Sequence, residues 1–150
     1  MRDLISIELF TGVEKTIRTG ISQLIEQGQR ISIISDANLL GALSIAPLEA
    51  SLIDSNLPYR RRIGKIDNAV PRYSIIIHNN GDARGVSWDN EKKVLSISET
   101  LSPALSGHLG DDKIGPLTTV AMCHSIAQLI SPSGVLVRKI RPWSISGNWI

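Results

Sequence analysis

Aromatic side chains are scarce in this sequence, at 4% of 150 residues, which leaves few platforms on which nucleic-acid bases could stack. Cysteine is nearly absent. The single Cys123 excludes an internal disulfide and suggests a reducing compartment. Its surroundings, Val120-Ala121-Met122-Cys123-His124, read as a helix in which a buried, inert thiol is the ordinary outcome. Adjacent helical residues point about 100° apart, so Cys123 and His124 are poorly placed to share a metal. Net charge is also small: +2 does not by itself argue for nucleic acid. No apolar run approaches the roughly 20 residues that span a bilayer. The start, Met1-Arg2-Asp3-Leu4, lacks the basic-then-apolar pattern of a signal peptide. The expectation is a soluble, cytoplasmic protein with no membrane contact.

What is present is ordinary for a globular chain, with 42% apolar and 20% charged residues and an apolar set led by isoleucine and leucine. The length suits one domain over 1–150, large enough to bury a core without metal or disulfide staples. Val13, Ile17, Ile21, Leu24 and Ile25 trace one apolar face and predict a helix from Thr11 to Gln27, with Thr11 and Glu14 as a capping box. Ile31–Ser35 reads as a strand. Asp36-Ala37-Asn38 leads into a helix with a kink expected at Pro47, and Tyr59–Ile63 resumes as a strand, giving a βαβ unit. Tyr73–Ile77 and Lys93–Ser98 predict further strands, with Arg84–Trp88 as a small edge strand. A late helix is expected over Pro116–Ile130, then a turn at Ser131-Pro132-Ser133-Gly134, and a loosely alternating tail through Val135, Val137 and Ile140. The predicted architecture is a single layered α/β domain with a mainly parallel β-sheet flanked by helices.

Ligands of such sheets bind beyond the carboxyl ends of the strands. There the chain offers Asp36-Ala37-Asn38-Leu39, His78-Asn79-Asn80-Gly81 and Glu99-Thr100-Leu101-Ser102-Pro103. The leading helix, the strand ending in Asp36-Ala37, the next helix and Leu57-Pro58-Tyr59 resemble the start of the DHH phosphoesterases found in RecJ-type nucleases. That family reads His-x-Asp-Ala-Asp-Gly at its first strand end. Here Ile34 stands for the His, Asp36 is kept, Asn38 replaces the second Asp and Leu39 the Gly. A further metal-binding Asp of the family would fall among His78, Asn79 and Asn80. The name-giving Asp-His-His corresponds to Glu99, Thr100 and Leu101, with Pro103 following. The last ligand would fall in Ser146-Gly147-Asn148-Trp149, which has no Asp. Two-metal hydrolysis needs several anionic oxygens and imidazoles around ions roughly 3.5–4 Å apart. Asp36 and Glu99 alone would supply two carboxylates.

The resemblance therefore implies a DHH-like domain that has lost its metal ligands and needs no cofactor. It also implies a chain that stops short of the family's second, substrate-gripping domain. The corresponding role is a non-catalytic replisome interaction protein that binds the GINS complex and supports the MCM helicase, as an archaeal RecJ-like factor does, with weak contact to single-stranded DNA. An alternative is a metal-dependent phosphoesterase or exonuclease with a reduced metal site, and another is a pseudo-enzyme that senses a nucleotide. Taken singly, Asp36 is well suited to a helix N-cap, and Asn80-Gly81 to a polar turn rather than a metal loop with Asp82. His108 and His124 have no ligand spacing. No nucleophile elbow frames a serine. Two basic clusters stand out. Arg60, Arg61, Arg62 and Lys65 suit either an edge strand guarded by charge or a contact surface. Arg138, Lys139 and Arg141 beside Trp143 suit a partner or DNA contact, and Trp143 and Trp149 are expected to dock on the core or on a partner.

Overall fold

Alternation and β-branching make Ile31–Ser35 a strand, and every residue of it is buried, as a central strand covered on both faces requires. In the computed structural model, which describes residues 3–81, 84–106 and 109–147, this strand (β1) is the second of a five-stranded sheet. The other members are β2 (Tyr59–Ile63), β3 (Ser74–His78), β4 (Val86–Asp89) and β5 (Val94–Ser98), in the order β2-β1-β3-β5-β4. All pairs are parallel except β4 with β5, so the antiparallel β4 closes one edge and β2 the other. The mainly parallel layered α/β fold is thus the one its strand and helix pattern predicts.

The helices gather on one face. Ile33, Ile75, Leu95 and Ile97 point to that side and form a core with α1 (Glu14–Glu26), α2 (Leu39–Asp54) and α3 (Thr119–Ile130). The packing is close: a Cβ on Gly20 of α1 would lie 2.9 Å from the Trp88 ring. A fourth helix, α4 (Val135–Gly147), packs outside α2 and α3 through Val137, Ala50 and Ala127. On the other face, Ile34, Ile76 and Val94 are covered by residues 64–73 instead of by a helix. The chain moves one way across the sheet from β1 to β2 and the opposite way from β2 to β3. With one preferred handedness, the two crossovers must use opposite faces. The second crossover has no helix, so this face is only partly roofed.

Several local expectations are corrected. The first helix is capped at Val13 without a side-chain hydrogen bond, and the Thr11 hydroxyl donates instead to the Glu8 carbonyl, in a 3-10 turn. Glu99-Thr100-Leu101-Ser102-Pro103 is not an open strand-end loop: from Thr100 it is the strand β6 (Thr100–Ser106), paired with β7 (Asp112–Leu117) in a separate hairpin. The late helix begins at Thr119, with the Thr118 hydroxyl as its cap, because 112–117 is spent on that hairpin. The tail is helical, not extended. Its buried positions Val137 and Ser144 and half-buried Ile140 fall at helical spacing, and Asp54 of α2 accepts from the Leu136 and Val137 amides at 3.0 and 3.1 Å to start it. Pro47 lies buried inside α2, which continues through it.

Candidate functional site at the carboxyl ends of β1 and β3

Strand order reverses between β1 and β3, whose outgoing connections leave in opposite directions, and a crevice opens where they diverge. Asp36 follows β1 and Asn79 follows β3. The Asp36 carboxylate accepts from the Asn79 amide at 2.9 Å, tying the two strand ends together. Asp36 is therefore not the cap of α2. That role falls to Asn38, whose Oδ1 accepts from the Gly41 amide at 2.7 Å while its Nδ2 donates to the Asn79 carbonyl at 3.4 Å. A Cβ on Gly41 would press into the Asp36 carbonyl, so only glycine lets α2 start this close.

The Asn79 side chain extends the network inward. Its Oδ1 accepts from the Thr119 hydroxyl at 2.5 Å, and Thr119 accepts in turn from the buried Ser44 hydroxyl at 3.1 Å. Asn79 Nδ2 is buried and has no hydrogen-bond partner. The result is a chain of neutral amides and hydroxyls joining β1, β3, α2 and α3 around one carboxylate. Cys123 lies in the core behind it, and burial pushes its thiol far above the ordinary range, as for an inert cysteine.

Beside this network, on the helix-free face, lies a cleft of about 890 Å³. Asp36, His78, Asn80, Lys65 and Arg84 stand at its carboxyl end. Ile76, Val94, Ser96 and Ser87 form the floor, residues 65–70 one wall, and Asp89 and Lys92 the far end. Nothing in the sequence pattern singled out Thr119, Ser44, Ser87, Ser96 or Lys92. They meet here only because of strand order, which local periodicity does not encode.

The remaining candidate residues are dispersed. Ile34 is a buried floor residue of the helix-free face. Glu99 is exposed and does not line the cleft, Thr100 lies on β6, and Leu101 is 68% exposed on the hairpin. Alternation on the edge strand β2 splits the arginines: Arg60 donates to Ser32 at 2.8 Å and Arg62 pairs with Asp67 at 3.3 Å, whereas Arg61 pairs with Glu49 of α2 at 3.0 Å. Arg138, Lys139, Arg141 and Trp143 are all exposed on α4, so Trp143, at 64%, is not docked on the core. Asp82, His108, Asn148 and Trp149 lie outside the described residues.

Among the described residues, no three His, Cys, Asp or Glu side chains gather closely enough to hold a metal ion. Asp36 accepts from the Asn79 backbone amide, and the described residues around it form no two-metal centre. No described helix is long and apolar enough to cross a membrane. No family model, curated protein or solved structure matches this chain.

Proposed function

We propose that this chain is a non-catalytic replisome interaction protein that resembles a RecJ-like factor, binds GINS and supports the MCM helicase through it. The observation that carries the reading is the use of Asp36. Its carboxylate, the one acidic group kept from the first motif that the chain resembles, holds the Asn79 amide, while Asn38 caps α2. Both positions serve the fold. The exposed face of α4, with Arg138, Lys139, Arg141 and Trp143 and no acidic residue in the helix, is the surface we assign to the partner. Any contact with single-stranded DNA would run through the same cations to phosphates and would fall steeply with salt.

Size-exclusion chromatography of the chain with the GINS proteins of its source organism tests this directly. Co-elution at moderate salt, lost in Trp143→Ala, is the expected result. Separate elution at micromolar concentrations overturns the partner assignment. Release of product from DNA in the presence of manganese, abolished in Asp36→Ala, overturns the non-catalytic half.

A further inference from the structure

We propose that the outer face of the β6–β7 hairpin is a self-association surface, on which a second copy of this chain packs about a two-fold axis. The inference goes beyond the partner assigned to α4 and does not rest on it.

Register puts four apolar residues on that face. Leu101 lies opposite Pro116, and Pro103 opposite Ile114. Opposed residues of an antiparallel ladder share a side, as do residues two apart along a strand, so all four point the same way. The irregularity of the hairpin comes after Pro103 and leaves these rungs intact. All four residues are exposed, Leu101 at 68% and Ile114 at 70%. The opposite side meets the body: Ser102 and Leu117 are buried there, and the Ser102 hydroxyl donates to the Leu9 carbonyl at 2.6 Å. One side of the hairpin is covered, and the other is apolar and bare.

The strand edges are poor routes of contact. Proline has no N–H, and it fits a ladder where its nitrogen faces outward. Pro103 and Pro116 therefore leave both strands without an edge donor in mid-hairpin, which disfavours the addition of a further strand. The face is what remains.

The chemistry of the face selects its occupant. Leu101, Pro103, Ile114 and Pro116 carry no charge and no side-chain hydrogen-bonding group. The Trp, Tyr and Arg anchors that centre interfaces between unlike chains are missing from it. Interfaces between like chains are the more apolar class, and a two-fold axis matches a patch to its own copy without such anchors. Lys113 alternates to the other side of the ladder from Ile114, so the axis does not press two ammonium groups together. Four side chains at roughly 100 Å² each make about 400 Å² per chain, which the axis counts twice. A total of about 800 Å² is half the standard interface, so the dimer is weak and reversible.

The test is sedimentation velocity of the whole chain from about 10 μM to 1 mM, with amide-resolved NMR spectra over the same range. A monomer–dimer equilibrium is expected, with concentration-dependent shifts at Leu101, Ser102, Ile114 and Gly115. Leu101→Lys and Ile114→Lys, each at an exposed position, should weaken association at least about tenfold. Unchanged amides in α1, α2 and β1 certify the fold of each variant. Association should persist at high salt, where contacts through exposed charges are screened. A chain that stays monomeric throughout would overturn the proposal and leave the face to an unlike protein. Dimers that survive both substitutions, shifts that map to α4, or growth beyond a dimer would overturn it too.

Discussion

Asn38 and His124 show how single polar residues hold this fold. Asn38 satisfies one of the unpaired amides at the start of α2 and also reaches the Asn79 carbonyl. Asn38→Ala should cost about 1 kcal/mol in urea unfolding, while Asn38→Asp should restore the cap. His124 is 9% exposed, with Nδ1 buried and without a partner, and it lies against α4 beside Arg141. Burial, and then the Arg141 charge, lower its pKa below 6.5. The neutral ring therefore belongs to the folded state. As pH falls below about 6.5 the unfolded chain takes up a proton that the folded chain resists, so stability is full above that value and declines beneath it. Urea midpoints should fall between about pH 7.5 and 5.5, and His124→Leu should flatten that slope. An unchanged slope in the variant would assign the pH dependence to the carboxylates.

At the scale of elements, α4 depends on a cap supplied from another helix. The Asp54 carboxylate meets the first free amides of α4, and a Cβ on buried Gly134 would press into it. Asp54→Ala should cost about 1–2 kcal/mol and expose Val137, with increased hydrogen exchange confined to α4. Exchange spread evenly over α2 and α3 would instead show that α4 unfolds only with the whole domain. This dependence explains what the sequence hid. β1 and β2 were legible to the residue because Ile31–Ser35 carries its own β-branched signal and Leu57-Pro58 ends the helix just before Tyr59–Ile63. The tail carried a weak one: Val135 and Val137 alternate, Pro142 interrupts, and the partner that caps the helix is far away in the chain. The β6–β7 hairpin was missed for a related reason. Pro103 and Pro116 lie in its strands, where proline argues against a central strand but is tolerated at an edge. Asp36 reads from sequence as a helix cap, and its actual hydrogen bond to Asn79 was not legible, because that partner is one that strand order brings to β1.

At the scale of the molecule, the layers run in a fixed order: the cleft, the sheet, the helices α1 to α3, and α4 outermost. The cleft and the exposed face of α4 therefore lie on opposite sides, with the core between them. Residues this far apart, sharing no partner, usually contribute additively. Arg138→Gln with Lys139→Gln should leave stability within about 0.5 kcal/mol, since both side chains are exposed. The same pair should slow association with GINS and flatten its dependence on salt, because charges at the edge of an interface act mainly through encounter.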